Sequence, residues 1–241
     1  MIKVETANIF KSFDRPDEKL RVLDDISIEL GENEFVSIIG PSGCGKSTLL
    51  RAIAGLIDID KGQIKINGEI SYLRQNSSLM PWRNILDNVL LPIEIKTGKK
   101  PEYTDELRES FNEFGLSGFE NSMPSEISGG MAKRAALLRT YLADRDILLL
   151  DEPFSSLDAI TRKAMGRWLL EVWNKHRKSV LFVTHDIEEA LLLSDRIYVM
   201  DDLPSKILET VVPSIGRPRS PDSVYEKQFI ARRKHIENLL I

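Results

Sequence analysis

At 241 residues the chain is long enough to bury a sizeable core in one large α/β domain, with or without a subdomain, and too short for two full domains. Its 33 Lys and Arg stand against 37 Asp and Glu, a net charge of −4, which excludes a globally basic surface for nucleic acid. The longest apolar stretches, such as Ile147 to Leu150 and Ala190 to Leu193, fall far short of the ~20 residues that cross a bilayer, so any membrane role goes through a partner.

Met1-Ile2-Lys3-Val4-Glu5 lacks the charged-then-apolar layout of a secretion signal, and a single cysteine forms no internal disulfide. Both features predict a reducing cytoplasm. Apolar and polar residues then alternate, as at Ile26, Ile28 and Leu30, which predicts half-buried antiparallel strands, with Asp14 to Lys19 as an exposed loop between them. Phe35-Val36-Ser37-Ile38-Ile39 reads as a buried strand. It feeds Gly40-Pro41-Ser42-Gly43-Cys44-Gly45-Lys46-Ser47-Thr48, a match to G-x-x-x-x-G-K-[ST], and then a helix carrying Leu49, Leu50, Ile53, Ala54 and Leu56. Strand, glycine turn and helix aim several backbone N–H groups at one point, where a polyphosphate fits. The glycines let the backbone approach the phosphates, Lys46 neutralises β/γ charge, and the Ser47 hydroxyl can ligate Mg²⁺. Cys44 lies among those N–H groups at a helix start, where a thiolate is favoured; the alternative is a small buried filler.

Gln63 to Ile70 predicts a hairpin turning at Asn67-Gly68. From Ser77 to Ala143 the spacing of Leu107, Phe111 and Phe114, and of Ala135, Leu138 and Leu142, predicts an inserted helical subdomain over about 77–143. Two continuously apolar strands follow, Ile147 to Leu150 and Val180 to Val183, separated by a helix with Met165, Trp168, Leu169 and Val172. Strands buried on both faces and alternating with helices predict a parallel sheet. After a proline-punctuated linker, Pro213 to Pro221, a helical tail covers about 222–241; its run Arg232-Arg233-Lys234 reads as a solvated face. His176 and His235 are expected in solvent. Asp151 and Glu152 end one of the apolar strands. Adjacent acids there serve as turn or cap residues in many proteins, yet downstream of a phosphate loop Asp151 can hold Mg²⁺ through water and Glu152 can polarise an attacking water as general base.

Ile127-Ser128-Gly129-Gly130-Met131 opens a further helix and resembles the L-S-G-G-Q signature of ATP-binding cassette (ABC) ATPases. The rest of that family's order is present over nearly the whole chain. By this resemblance Phe13 matches the aromatic that stacks on adenine, and Gln75 the glutamine of the Q-loop. Ser155-Ser156-Leu157-Asp158 matches the D-loop, and His185, after Leu181-Phe182-Val183-Thr184, the switch histidine at the γ-phosphate. Taken singly, Phe13 could be core packing, Gln75 a surface amide and Ser128-Gly129-Gly130 a plain helix cap. Their joint order carries the identification.

The resemblance implies an α/β fold of the P-loop NTPase class: a RecA-like parallel sheet core with an antiparallel β subdomain and an inserted helical subdomain, residues 1–241 forming one ATP-binding domain. It implies ATP hydrolysis with Mg²⁺, in which Gln75, Glu152 and His185 are catalytic and Ser47, Gln75 and Asp151 serve the metal. Phe13, Gly40 to Thr48, Ser128, Gly129, Gly130 and Asp158 bind nucleotide. The signature's hydroxyl, N–H groups and helix N-terminus form an anion site. In the family it completes the site of an opposite subunit, so the implied assembly is a head-to-tail homodimer closed by ATP.

Finer stretches are similar to ATPase subunits of bacterial importers for nitrate, aliphatic sulfonates and taurine: Met80-Pro81-Trp82, Leu91-Pro92-Ile93-Glu94, the S-G-G-M signature and the Arg217-Pro218-Arg219 tail. That branch implies integral membrane permease subunits as partners, a solute-binding protein acting indirectly, no nucleic acid, and a place on the cytoplasmic face of the membrane. Trp82 is either core or the contact for a coupling helix of the permease. Met131 replaces the commoner glutamine, and Ala132 to Tyr141 is an unusual version of the following helix. The chain ends before the regulatory domain of sugar-importer ATPases, so no such control is expected. A soluble ABC ATPase and an exporter ATPase are the alternatives, and Glu152 with His185 disfavours a non-hydrolysing switch.

Overall fold

The computed structural model describes residues 1–16, 18–75, 79–155, 157–217 and 219–240. Ser77, Ser156 and Pro218, which figure in the helical-subdomain, D-loop and tail expectations, lie outside the described residues, as does Asp17 of the first loop.

The alternating N-terminal segments form one sheet. β1 (Ile2–Asp14) pairs antiparallel with β2 (Lys19–Ile26), β3 (Glu29–Gly31) and β5 (Lys61–Ile66). The second sheet is built on strands without an exposed face: β4 (Phe35–Ile39), β7 (Ile147–Asp151) and β8 (Ser179–Val183) are buried at every position. With β6 (Ile70–Leu73), β9 (Arg196–Met200) and β10 (Ile207–Val211) they run in the order β10-β9-β4-β8-β7-β6, all parallel except β10.

Alternation along these strands divides the core in two. Val36, Ile38, Leu149, Leu181 and Val183 pack with Val4, Leu23 and Ile26 of the antiparallel sheet and with α1 (Lys46–Ile53). Phe35, Leu148, Leu150, Val180 and Phe182 pack against the remaining helices. Those are α2 (Ile85–Thr97), α3 (Asp105–Glu113), α4 (Gly129–Leu142), α5 (Ala159–His176), α6 (Ile187–Leu193) and α7 (Lys227–Leu239). A parallel sheet covered on both faces explains why its strands read as unbroken apolar runs.

Three expectations are corrected. Gln63 to Ile70 is a crossover between layers, not a hairpin, since β5 pairs with β1 and β6 with β7. Asn67 holds the crossing by donating its backbone N–H to the Lys3 carbonyl and its side-chain amide to that of Ile2, each at 2.8 Å. Gly68, at φ 134°, passes so close to Asp146 that a Cβ would meet the carboxylate at 2.7 Å. The dipeptide marks a sharp turn, and the apolar face of β6 decides which sheet receives the chain.

The two histidines do not sit free in solvent. His176 Nε2 lies 3.0 Å from a Glu113 oxygen, and His235 Nε2 lies 2.9 Å from Glu209. Nor is the basic run of α7 simply a solvated face. Arg233 reaches Glu188 on α6 at 2.6 Å, and Arg232 donates to Ser214 Oγ. Periodicity locates such residues on a face and says nothing of the partners that tertiary packing brings.

The tail is moored in the same way. Arg219, buried, donates to the carbonyls of Leu191 and Leu192 at the end of α6, and Arg217 pairs with Asp195 at 2.6 Å.

Candidate functional site

Three neighbouring parallel strands, β4, β8 and β7, end on one edge of the sheet, and the chain leaving each carries a predicted site residue. In open α/β sheets that edge is where ligands bind. From β4 the chain turns through Gly40 to Gly45 into α1. Gly43 (φ 84°) and Gly45 (φ 108°) hold left-handed backbone that a side chain would strain. A Cβ on Gly43 would meet nothing within 4 Å, whereas one on Gly45 would strike Val22 at 2.7 Å. The loop is thus packed at Gly45 and open at Gly43.

Lys46 is buried, with Nζ donating to the carbonyls of Gly40 (2.9 Å) and Pro41 (2.7 Å). Ser47 Oγ donates to Asp151 Oδ1 at 2.7 Å. The Cys44 thiol is 1% exposed, and burial pushes its pKa up despite the nearby Lys46. The favoured thiolate is therefore corrected to the filler alternative: Cys44 lies within the apolar core beneath the loop, and burial there outweighs the nearby Lys46.

Asp151, 3% exposed at the end of β7, accepts a second hydrogen bond at Oδ2 from the Tyr72 hydroxyl at 2.9 Å. Sequence reasoning missed Tyr72; the β6–β7 register is the only signal that places it. Burial, and then Asp151, raise the phenol well above its usual pKa, so it stays a donor. Glu152 follows with φ 44°. Its carboxylate accepts from Gln75 Nε2 at 2.9 Å and lies 3.7 Å from His185 Nδ1.

After β8, Thr184 Oγ1 accepts from the Asp186 N–H (3.0 Å) and donates to Glu189 Oε2 (2.6 Å), which braces the backbone on either side of His185. Glu189 is a further residue that sequence reasoning missed. Burial pushes its acid up to about 7, with Thr184 and Arg162 opposing and Asp186 and Glu152 adding to the rise.

The structure thus brings Ser47 to Asp151, and Gln75 and His185 to Glu152, the next residue along the chain. It does not bring in the signature. Ser128 caps α4 through the Met131 N–H (3.3 Å), and a Cβ on Gly130 would meet Thr161 at 3.1 Å. Asp158 caps α5 by accepting from Ile160 and Thr161, bonds that hold its carboxyl low. Among the described residues no hydrogen bond joins 128–130 to 40–48. Phe13, at the end of β1, is 37% exposed with Lys11 Nζ standing over its ring at 5.1 Å, so it lies at the surface and not in the core.

Residues 23–155, more than half the chain, match the model of the ABC transporter family. The chain belongs to that family. It is 40% identical to an uncharacterized ABC transporter ATP-binding protein of Methanocaldococcus jannaschii, over 99% of this chain and 91% of the relative. It is also similar to the formylaminopyrimidine import ATP-binding protein ThiZ of Halalkalibacterium halodurans (43%) and the aliphatic sulfonates import ATP-binding protein SsuB of Bacillus cereus (40%). Each of those matches covers 91% of this chain and 90% of the relative. Among solved structures, the dimeric post-hydrolysis state of an ATP-binding cassette bound to ADP and Pi superposes with a TM-score of 0.74 at 28% identity, covering 87% of this chain and 98% of that one.

The ABC protein is therefore an ATP-binding ATPase of the P-loop fold, importer-type in its relatives. Trp82, which could have been core, is 73% exposed beside Arg83, whose guanidinium grips Glu94 of α2 through two bonds of 2.6 and 3.2 Å. Among the described residues no helix is long and apolar enough to cross a membrane.

Proposed function

We propose that this ABC ATPase powers uptake of a small solute of the nitrate, sulfonate or taurine class through separate membrane permease subunits. The observation that carries the reading is the convergence of Ser47, Asp151, Gln75, Glu152 and His185 at the ends of adjacent strands. We infer one ATP-binding domain over 1–241, with the helical subdomain over about 77–143 and the tail over about 222–241.

The geometry supports the following roles. The N–H groups of 40–48 and the Lys46 ammonium bind the phosphates, and the surface ring of Phe13 stacks on adenine. Ser47 and Asp151 supply two hard oxygens, and among the described residues no cluster of three or more His, Cys, Asp or Glu makes an all-protein cage. That donor set suits Mg²⁺, which keeps water and phosphate oxygens alongside one or two protein ligands; Gln75, bonded to Glu152 on the next residue, is the further metal residue we infer. Bound there, Mg²⁺ neutralises charge on the β- and γ-phosphates. Glu152 takes the proton of the water whose oxygen bonds the γ-phosphorus as the bond to ADP breaks. Gln75 orients the Glu152 carboxylate, and His185 stands on the γ-phosphate side.

Among the described residues no hydrogen bond links Ser128, Gly129, Gly130 or Asp158 to this chain's own phosphate loop, which supports a second copy packed head to tail that receives them. Exposed Trp82 and the rigid Arg83–Glu94 pair support docking of a permease helix, with the solute-binding protein beyond it. The ATPase then sits on the cytoplasmic face of the membrane. Reconstitution with its permease in vesicles tests this: ATP-driven accumulation of a sulfonate, taurine or nitrate is the expected result, and efflux or an uncoupled ATPase contradicts it.

A further inference from the structure

Tyr72 has no part in the roles above. β6 is the edge strand beside β7, in a register that sets Tyr72 opposite Leu149 and Leu73 opposite Leu150. Side chains alternate along a strand, so Tyr72, Leu149 and Asp151 share one face, and Asp151 stands at the diagonal offset that a long aromatic side chain spans. The phenol closes that diagonal at 2.9 Å on Oδ2, while Ser47 Oγ holds Oδ1 at 2.7 Å. Asp151 is 3% exposed, so little water reaches Oδ2 to replace the phenol. Without the hydroxyl that oxygen is a buried anionic acceptor, and among the described residues no other hydrogen bond holds the plane of the carboxylate on that side.

We propose that Tyr72 is a positioning residue for the divalent cation of ATP: it pins Asp151 Oδ2 so that Oδ1 stays turned toward Ser47, presenting hydroxyl and carboxylate together to Mg²⁺. This rests on reading Ser47 and Asp151 as the Mg²⁺ side of the nucleotide site. It also ties the metal carboxylate to the strand that leads directly into Gln75.

Tyr72→Phe deletes the hydroxyl and keeps the ring. Mg²⁺ is titrated against binding of a fluorescent ATP analogue to the full chain, alongside the same measurement in EDTA and a melting curve without nucleotide. The magnesium midpoint rises roughly tenfold, the low end of the loss when an outer partner of a metal ligand is removed. Affinity in EDTA stays near wild type, the melting temperature falls by roughly a few degrees because Asp151 Oδ2 loses its partner, and Tyr72→Gln, which restores a donor, brings the midpoint part of the way back.

An unchanged midpoint in Tyr72→Phe, or an equal loss with and without Mg²⁺, overturns the proposal. If Tyr72→Phe does not fold, Tyr72→Gln decides alone: a midpoint closer to wild type than that of Asp151→Asn supports the proposal, and one equal to it contradicts it. Ser47→Ala and Asp151→Asn separate the two levels. If neither moves the midpoint, the Mg²⁺ reading fails and takes this inference with it. If both do and Tyr72→Phe does not, only the role of Tyr72 is wrong.

Discussion

Gln75 Nε2 donates to Glu152 Oε2 at 2.9 Å, joining residues 77 positions apart that leave neighbouring strands. The amide fixes where the carboxylate points before any water is activated. Gln75→Ala leaves Glu152 in place and unaimed, so kcat falls by roughly tenfold or more while KM for ATP stays within about threefold. Steady-state kinetics check this, and a variant that raises KM with kcat intact contradicts the role.

Glu152 occupies left-handed backbone at φ 44°, where a Cβ costs about 1–2 kcal/mol. Among inactive variants, Glu152→Gly is therefore more stable than Glu152→Ala by about 1 kcal/mol, the reverse of the order in a helix or strand. Thermal melts of the two nucleotide-free proteins compare them directly.

Glu189 carries the pH dependence. Its acid titrates near 4.5 when unfolded and is pushed up to about 7 when folded, by burial. Between those values the folded chain binds more protons than the unfolded one, so the group's contribution is fully present below pH 4.5 and is lost as pH rises through about 7. Glu189→Gln flattens that slope, and its stability relative to wild type improves by roughly 1–3 kcal/mol on passing from pH 4.5 to above 7. Denaturant titrations at a series of pH values give the comparison; parallel slopes in the two proteins would refute it.

The unusual helix after the signature reaches the site through Lys133. Lys133 Nζ donates to the Gln75 carbonyl at 3.0 Å, from α4 to the Q-loop. Lys133→Met keeps the stem and removes the donor, so Gln75 loses a backbone restraint. Turnover drops about fivefold with little change in ATP affinity, in keeping with the loss of one charge-assisted bond. A turnover equal to wild type would confine Lys133 to a packing role.

Much of this was legible from the chain alone, for identifiable reasons. β4, β7 and β8 are buried on both faces, and a strand without a solvent face leaves no polar position to confuse the pattern. The phosphate loop is local, so residue spacing specifies it, and Asp151 and Glu152 are placed by the strand that ends on them. What stayed hidden depends on contacts between distant segments. Asn67-Gly68 announces a turn without saying which sheet receives the chain. Cys44 is buried in a core cluster whose members, Val22 and Met200 among them, come from distant parts of the chain. Glu113, Glu209 and Glu188 claim His176, His235 and Arg233 across element boundaries. Tyr72 meets Asp151 only through strand register.

The central claim is that each copy's nucleotide is closed by Ser128, Gly129 and Gly130 of a second copy, with Glu152 as the base. Light scattering of Glu152→Gln in saturating MgATP tests both halves at once. The account predicts a stable dimer that hydrolyses no ATP and that Ser128→Arg returns to monomers. A Glu152→Gln protein that remains monomeric in MgATP, or that turns over ATP at the wild-type rate, contradicts it.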